Sequence, residues 1–265
     1  MRTQGLIFFY ILCTVFLLAA KDTSPLLKLD YSKGKSWTYT ISYNSECIFA
    51  HKDKTETKNT SLDCTLNGSV SRSKDRLSFS IADVSVESEL YDADVQKSIV
   101  DNLSEATLDL ALVDGAPEID TVPDFSSEGL PEWNIYIQFS KLLPDMPKQS
   151  IKEGFTWERS VTLPVKTAQG TALCEIYRLY KVENIASKEK TAEISWRFRY
   201  ATTDKKESGE SLKKYVPIGG KGTGTAVIDI KNKVIRKASV EFETPVAKVD
   251  NSNVNWKEKA ELTLQ

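Results

Sequence analysis

Apolar residues recur at every second position along most of this chain, and that alternation marks its strands. The clearest case is Ala192 to Ala201. Ile194, Trp196, Phe198 and Tyr200 share one face there, while Glu193, Ser195, Arg197 and Arg199 share the other. A period of two is the mark of a half-buried strand, with its aromatic face against core or helix. A glycine-led form of the pattern occurs twice. Trp37, Tyr39, Ile41 and Tyr43 follow Gly34, and Phe155, Trp157, Val161 and Leu163 follow Gly154. Each copy opens a β-rich stretch, so the chain reads as two loosely similar meanders, 26–122 and 150–265.

The remaining strands follow from the same period. Leu26, Leu27 and Leu29 lead into a short first strand ending at Tyr31, and the lysine-rich segment 50–61 reads as a mobile hairpin tip. Leu66 to Ser71 is a weak strand. Leu77, Phe79 and Ile81 alternate before the phase moves to Val84 and Val86, so one extra residue near Ala82-Asp83 predicts a β-bulge. Leu108, Leu110 and Leu112 run into the turn Asp114-Gly115, with a return strand expected over Ile119 to Val122. Leu173 to Glu183, a hairpin of Thr225–Ile230 with Val234–Glu243, and a strand carrying Trp256, Ala260, Leu262 and Leu264 complete the set.

Two segments change period. Val95, Ile99, Leu103 and Ala106 fall four, four and three apart behind the caps Asp92 or Asp94, which predicts an amphipathic helix. Pro131 to Leu143 predicts a second, more apolar helix, begun by Pro131 and stopped by Pro144 and Pro147. The expected fold is mainly β (α+β): a strongly curved antiparallel sheet, or two packed β-meanders, with two covering helices. No linker rich in proline or glycine divides it, so 21–265 is expected to be a single β-rich domain, its two halves joined by the helical segment 131–143.

Composition supplies an address. Residues 1–20 combine one positive charge, an apolar run from Leu6 to Leu18 and a small-residue end at Ala19-Ala20, the layout of a cleaved signal peptide. The run is near 15 residues, short for spanning ~30 Å of hydrocarbon. No other apolar stretch is long enough to span. The expected location is therefore exported: periplasm, cell surface or extracellular. Exported chains oxidise paired cysteines. A Cys47–Cys64 disulfide would close a loop of about 17 residues, worth roughly 3 kcal/mol; the rival pairing joins Cys64 to Cys174. Net charge is −2 with both signs interspersed, which argues against a nucleic-acid surface.

Catalytic and metal chemistry finds little purchase. The single histidine, His51, lies in the lysine-rich segment away from any recognisable nucleophile, and G-x-S-x-G is absent. No C-x-x-C exists to seat zinc. Gly219 to Gly224 lacks the spacing of a phosphate loop and precedes a strand. Asp250 to Asn255 departs from a calcium loop at Val254 and Asn255. The expectation is a non-enzyme with no cofactor and no metal site. Sequons occur at Asn59, Asn67 and Asn102.

What remains is aromatic. Trp37, Trp157, Trp196, Phe198 and Tyr200 on strands, with Trp133 and Tyr136 on the second helix, either fill a core or line an apolar cavity between curved sheet and helices. In the second case they are the candidate ligand-binding residues.

The stretches Lys33 to Tyr43, Lys152 to Leu163 and Gly222 to Glu243 resemble a family of uncharacterised bacterial β-rich proteins that are secreted or lipid-anchored. More distantly, a curved sheet covered by helices resembles periplasmic lipoprotein carriers that hold acyl chains. That resemblance brings no active site. It implies an exported protein that binds lipid or another apolar or amphipathic small molecule. The competing expectation is a structural or adhesive envelope protein that contacts a protein partner through its surface.

Overall fold

The computed structural model describes residues 25–33, 36–51, 54–120, 122, 135–167, 170–203, 219–244, 247–249 and 252–265. The leader, Gly34, Pro131, Trp133 and the charged loop after Thr203 lie outside the described residues.

The described strands form one antiparallel sheet. In chain order they are β1 (Ser36–His51), β2 (Lys54–Val70), β3 (Arg76–Ser88), β4 (Thr107–Val113), β5 (Ala116–Glu118), β6 (Thr156–Thr167), β7 (Gly170–Ala186), β8 (Thr191–Thr203), β9 (Gly219–Asp229), β10 (Val234–Glu243), β11 (Ala247–Val249) and β12 (Ser252–Leu264). The spatial order is β5-β4-β3-β2-β1-β12-β10-β9-β8-β7-β6, with β11 paired to β12. A first meander, β1–β5, and a second, β6–β12, thus lie side by side in a single open sheet. Twelve residue pairs between β1 and β12 join them. The two glycine-led strands take unlike places: β1 is at this central seam and β6 is at an edge.

Several local expectations are met. β3 carries the extra residue, since Asp63 pairs with Ser85 and Thr65 with Ala82, and Asp83 sits at φ 52°. Asp114 and Gly115 both have positive φ, as a two-residue hairpin of the mirror-image type requires. Helix α1 (Ala93–Glu105) begins at Asp92, whose carboxylate accepts from the Val95 N–H at 2.9 Å, and it buries Ile99 and Leu103.

Others are corrected. The expected hairpin tip 50–61 belongs largely to β1 and β2, which pair from Ser36 with Ser69 out to His51 with Lys54. Lys54 to Thr57 are all exposed, so the outer end of this pair is polar on both faces and shows no period of two. The stretch from Leu26 is not a strand but a single bridge to Ser150, followed by a 3-10 turn at Tyr31–Lys33. The return strand is β5, three residues earlier than expected.

No disulfide forms among the described cysteines. Cys47 lies opposite Lys58 and Trp256, whereas Cys64 lies opposite Ile41. Six positions of strand separate them, ~20 Å at ~3.4 Å per residue, far beyond the ~7 Å that a disulfide can bridge. Cys47, Cys64 and Cys174 are buried thiols instead. Burial, aided by Asp63, pushes the Cys64 thiol up to about 12, so it stays protonated.

The apolar face of the sheet curls around α2 (Ile135–Leu142), whose residues from Tyr136 onward are buried on every side. From the first meander, Phe79 meets Phe139 at 5.9 Å between centroids. Tyr136 Oη accepts from the Asp109 N–H at 2.9 Å and donates to the Thr107 carbonyl at 3.1 Å. From the second, Glu258 receives Lys141 at 2.5 Å, with side chains 7% and 2% exposed. Lys141 Nζ also lies 4.2 Å from the Phe242 ring centroid. Arg178 donates to the Ser140 carbonyl and, at 2.5 Å, to Asp145 just beyond the helix. One helix of two turns therefore touches β3, β4, β7, β10 and β12, which only a strongly curved sheet permits. The outer ends come close enough for the Val122 N–H to donate to the Pro164 carbonyl at 2.9 Å.

Leu27, Leu29 and Tyr31 stop the interior at another point. The N–H groups of Asp30 and Tyr31 donate to the Lys233 and Gly115 carbonyls, at 2.8 and 2.7 Å. Tyr31 Oη accepts from the Ile235 N–H and donates to Tyr39 Oη, which donates to the Ile235 carbonyl.

The glycines of β9 have a packing role. A Cβ at Gly220, Gly222 or Gly224 would collide with Phe242, Phe198 or Trp196 respectively. Rings on the flanking strands lie across the bare β9 backbone, so alternate residues there must lack a side chain.

Candidate functional site

The strongest candidate site lies on the opposite, polar face of the sheet. Two rows of cross-strand neighbours run side by side, the first across eight strands and the second across the six from β1 to β7. From β3 to β7 the first is Glu87, Ser61, Asn44, Lys259, Glu241, Thr223, Arg197 and Leu179. Glu46, Lys257, Glu243, Lys221, Arg199 and Tyr177 belong to the second. Because strand side chains alternate, both rows point outward, and the residues between them (Ser45, Glu258, Phe242, Phe198) point inward. Together these residues line a solvent-open trough of about 1540 Å³.

Its electrostatics change along its length. The β3 end carries Glu87 and Glu89, and Glu89 is engaged by the N–H and side-chain amide of Asn59 at 2.9 and 3.1 Å. In the middle, Lys257 stands in register between Glu46 and Glu243. Glu261, beside the trough, pairs with Lys259 at 2.9 Å and Lys237 at 3.3 Å, and these contacts hold its carboxyl below the usual range. The far end carries Arg197, Arg199 and Lys221 next to Leu179 and Tyr177. The Tyr177 ring is 43% exposed. Its hydrogen bond to the Glu158 carboxylate raises the phenol above its ordinary value, so it remains neutral.

Of the residues singled out from the sequence, Phe198 lines this trough, through a position whose ring points to the core. The rest are packed on the other side or at its margins. Trp196 and Tyr200 are each 2% exposed. Trp157 stacks on Tyr180 at 4.8 Å and donates from Nε1 to the Asp145 carbonyl at 3.0 Å. Trp37 packs on Tyr31 at 5.2 Å, and Tyr136 is fixed by its two hydrogen bonds to β4. Trp133 lies outside the described residues.

Sequence reasoning passed over the trough because its members are the bland residues of amphipathic strands. Arg197 and Arg199 stood out only as the polar side of an aromatic strand. Among the described residues, no group of three His, Cys, Asp or Glu side chains could hold a metal ion, and no helix is long and apolar enough to cross a membrane.

No protein-family model matches the chain, and no curated protein matches it. Solved structures that bear some likeness to it include three with these alignments. Lipovitellin, from a structure concerned with its lipid–protein interactions, aligns with 88% of this chain and 25% of its own, with a TM-score of 0.47 and 12% identity. This chain therefore spans about a quarter of lipovitellin. DynF of the dynemicin biosynthesis pathway of Micromonospora chersina aligns over 92% and 90% of the two chains, with a TM-score of 0.21 and 7% identity. A domain described as an outer membrane lipoprotein-sorting protein, from Vibrio parahaemolyticus, aligns over 85% and 83%, with a TM-score of 0.14 and 8% identity. These scores are too low to carry a functional argument.

Proposed function

We propose that this chain is a non-catalytic, exported protein that binds an amphipathic small molecule or lipid along the trough. The observation behind the reading is the trough itself: its ~1540 Å³ exceeds the ~300–1,000 Å³ of ordinary small-molecule sites. Its lining joins apolar surface to charge. Leu179 and Tyr177 supply the first, and so do the aliphatic stems of the lysines and arginines, whose heads alone need water. The trough lies on the face opposite the aromatic residues that the sequence offered as ligand-binding, of which Trp196 and Tyr200 are buried in the core.

Titration with a dodecyl amphiphile below its micelle concentration tests the reading. Saturable binding is expected, and Thr223→Trp, which places a large ring in the trough, weakens it at least about tenfold, or ~1.4 kcal/mol. An absence of saturable binding, or binding indifferent to that ring, removes the proposal.

A second reading, an envelope protein working through protein contacts, draws on β6. Among the described residues this strand has a paired neighbour on one side only, apart from the single contact at Pro164. A stable complex that is lost when β6 gains a proline on its bare side would favour it.

A further inference from the structure

On the outer face of this sheet opposite charges alternate along the middle strands, whereas each end of the trough gathers one sign. Lys257 stands between two glutamates, and Lys237 and Lys259 share Glu261. At the β7-β8-β9 end the rule fails. Arg199 lies directly across from Lys221, and Arg197 follows on the same face of β8. Like charges opposed across a ladder are destabilising. The positions facing Arg197 are Leu179 on β7 and Thr223 on β9, neither of them acidic. Lys221 faces Glu243 on its other side, and that carboxylate also accepts from Asn255 at 3.0 Å. Glu175 lies one outward position beyond Tyr177, across from Ala201, and Glu183 is held by Lys181 and Ser195 and Glu158 by Tyr177. The sheet thus holds three cations together, next to the apolar pair Leu179 and Tyr177, at one end of an open trough.

We propose that Arg197, Arg199 and Lys221 form an oxyanion subsite that takes the carboxylate or phosphate head of an anionic amphiphile. Its apolar part lies over Leu179 and Tyr177 and on into the trough. The inference rests on the reading of the trough as a binding site and adds the sign of the ligand and its direction. Two guanidinium groups offer planar pairs of donors matched to carboxylate and phosphate oxygens. Lys221 adds a point charge from the adjacent strand. Bound head and cations lower each other's free energy, which turns the unfavourable crowding of positive charge into affinity. The acidic end at Glu87 and Glu89 repels the head and so orients the molecule.

The test compares dodecanoate, dodecyl phosphate, uncharged dodecyl maltoside and inorganic phosphate, on the intact protein and on an Arg197→Gln/Arg199→Gln variant. Both substitutions are on exposed positions, and circular dichroism with a thermal melt verifies folding. The two anionic amphiphiles are expected to bind at least about tenfold more tightly than the maltoside. The variant should lose that advantage while its affinity for the maltoside is unchanged, and added salt should weaken only the anions. Equal binding of charged and uncharged amphiphiles, or anion binding untouched in the variant, overturns the subsite while leaving the trough as a binding site. Inorganic phosphate binding as tightly as dodecyl phosphate overturns the amphiphile. If none of the four binds, the trough reading and the subsite fall together.

Discussion

The two meanders grip α2 by different physics. The first, β1–β5, holds it through Phe139 against Phe79 and through Tyr136, which is bonded to the backbone of β4. The second, β6–β12, holds it through buried charge: Lys141 on Glu258, and Arg178 on the Ser140 carbonyl and Asp145. Apolar contact is tolerant of small shifts, because one filled volume resembles another. A buried ion pair tolerates almost none, because each charge has lost its water and depends on the few partners placed around it. The comparison assigns a job to each side. The first meander supplies apolar burial, and the second fixes the helix in rotation and height.

The largest test of that division is Glu258→Ala, which leaves the Lys141 ammonium buried without its carboxylate. Urea unfolding should show a loss of about 3–5 kcal/mol. The paired change Lys141→Met/Glu258→Leu should restore most of it. If the single and paired variants are equally unstable, charge is not what seats the helix. On the aromatic side, Phe139→Leu keeps the site apolar while trimming its volume, and should cost about 1–2 kcal/mol. A cost equal to that of Glu258→Ala would erase the distinction between the two sides.

The smallest effect concerns the turn between β9 and β10, in the second meander. Burial alone would raise the Asp229 carboxyl. The Asn232 N–H at 2.8 Å and Arg236 at 2.7 Å outweigh it and hold the group below its ordinary value of 3.8. A depressed carboxyl stabilises the fold above its unfolded value, and that contribution disappears as pH falls through the folded one. Stability measured from pH 5 downward should therefore decline below about pH 4, less steeply in Asp229→Asn. An unchanged slope would exclude this turn as a source of acid sensitivity.

Much of the fold was legible because alternation and capping are local. The strand carrying Ile194, Trp196, Phe198 and Tyr200, the bulge at Asp83 and the helix capped by Asp92 each depend on residues within a few positions of one another. What could not be read depends on register between distant strands. Lys141 and Arg178 look like surface residues until β7 and β12 are placed beside α2. The alternate glycines of β9 look like slack until Trp196 and Phe242 arrive from either side. Cys47 and Cys64 look like partners until strand pairing sets them far apart. The trough is the extreme case, since its rows exist only after eight strands have been brought into line.

The seam between β1 and β12 has a temporal consequence. Tyr39 meets Leu264 and Ala50 meets Asn253, across more than two hundred intervening residues. A growing polypeptide can assemble each meander by neighbour-to-neighbour pairing, but it cannot weld them until synthesis reaches the last of these positions. Contacts so remote in the chain are slow to form. Until then both halves display a bare central margin, the stage at which a chaperone would have the most to shield.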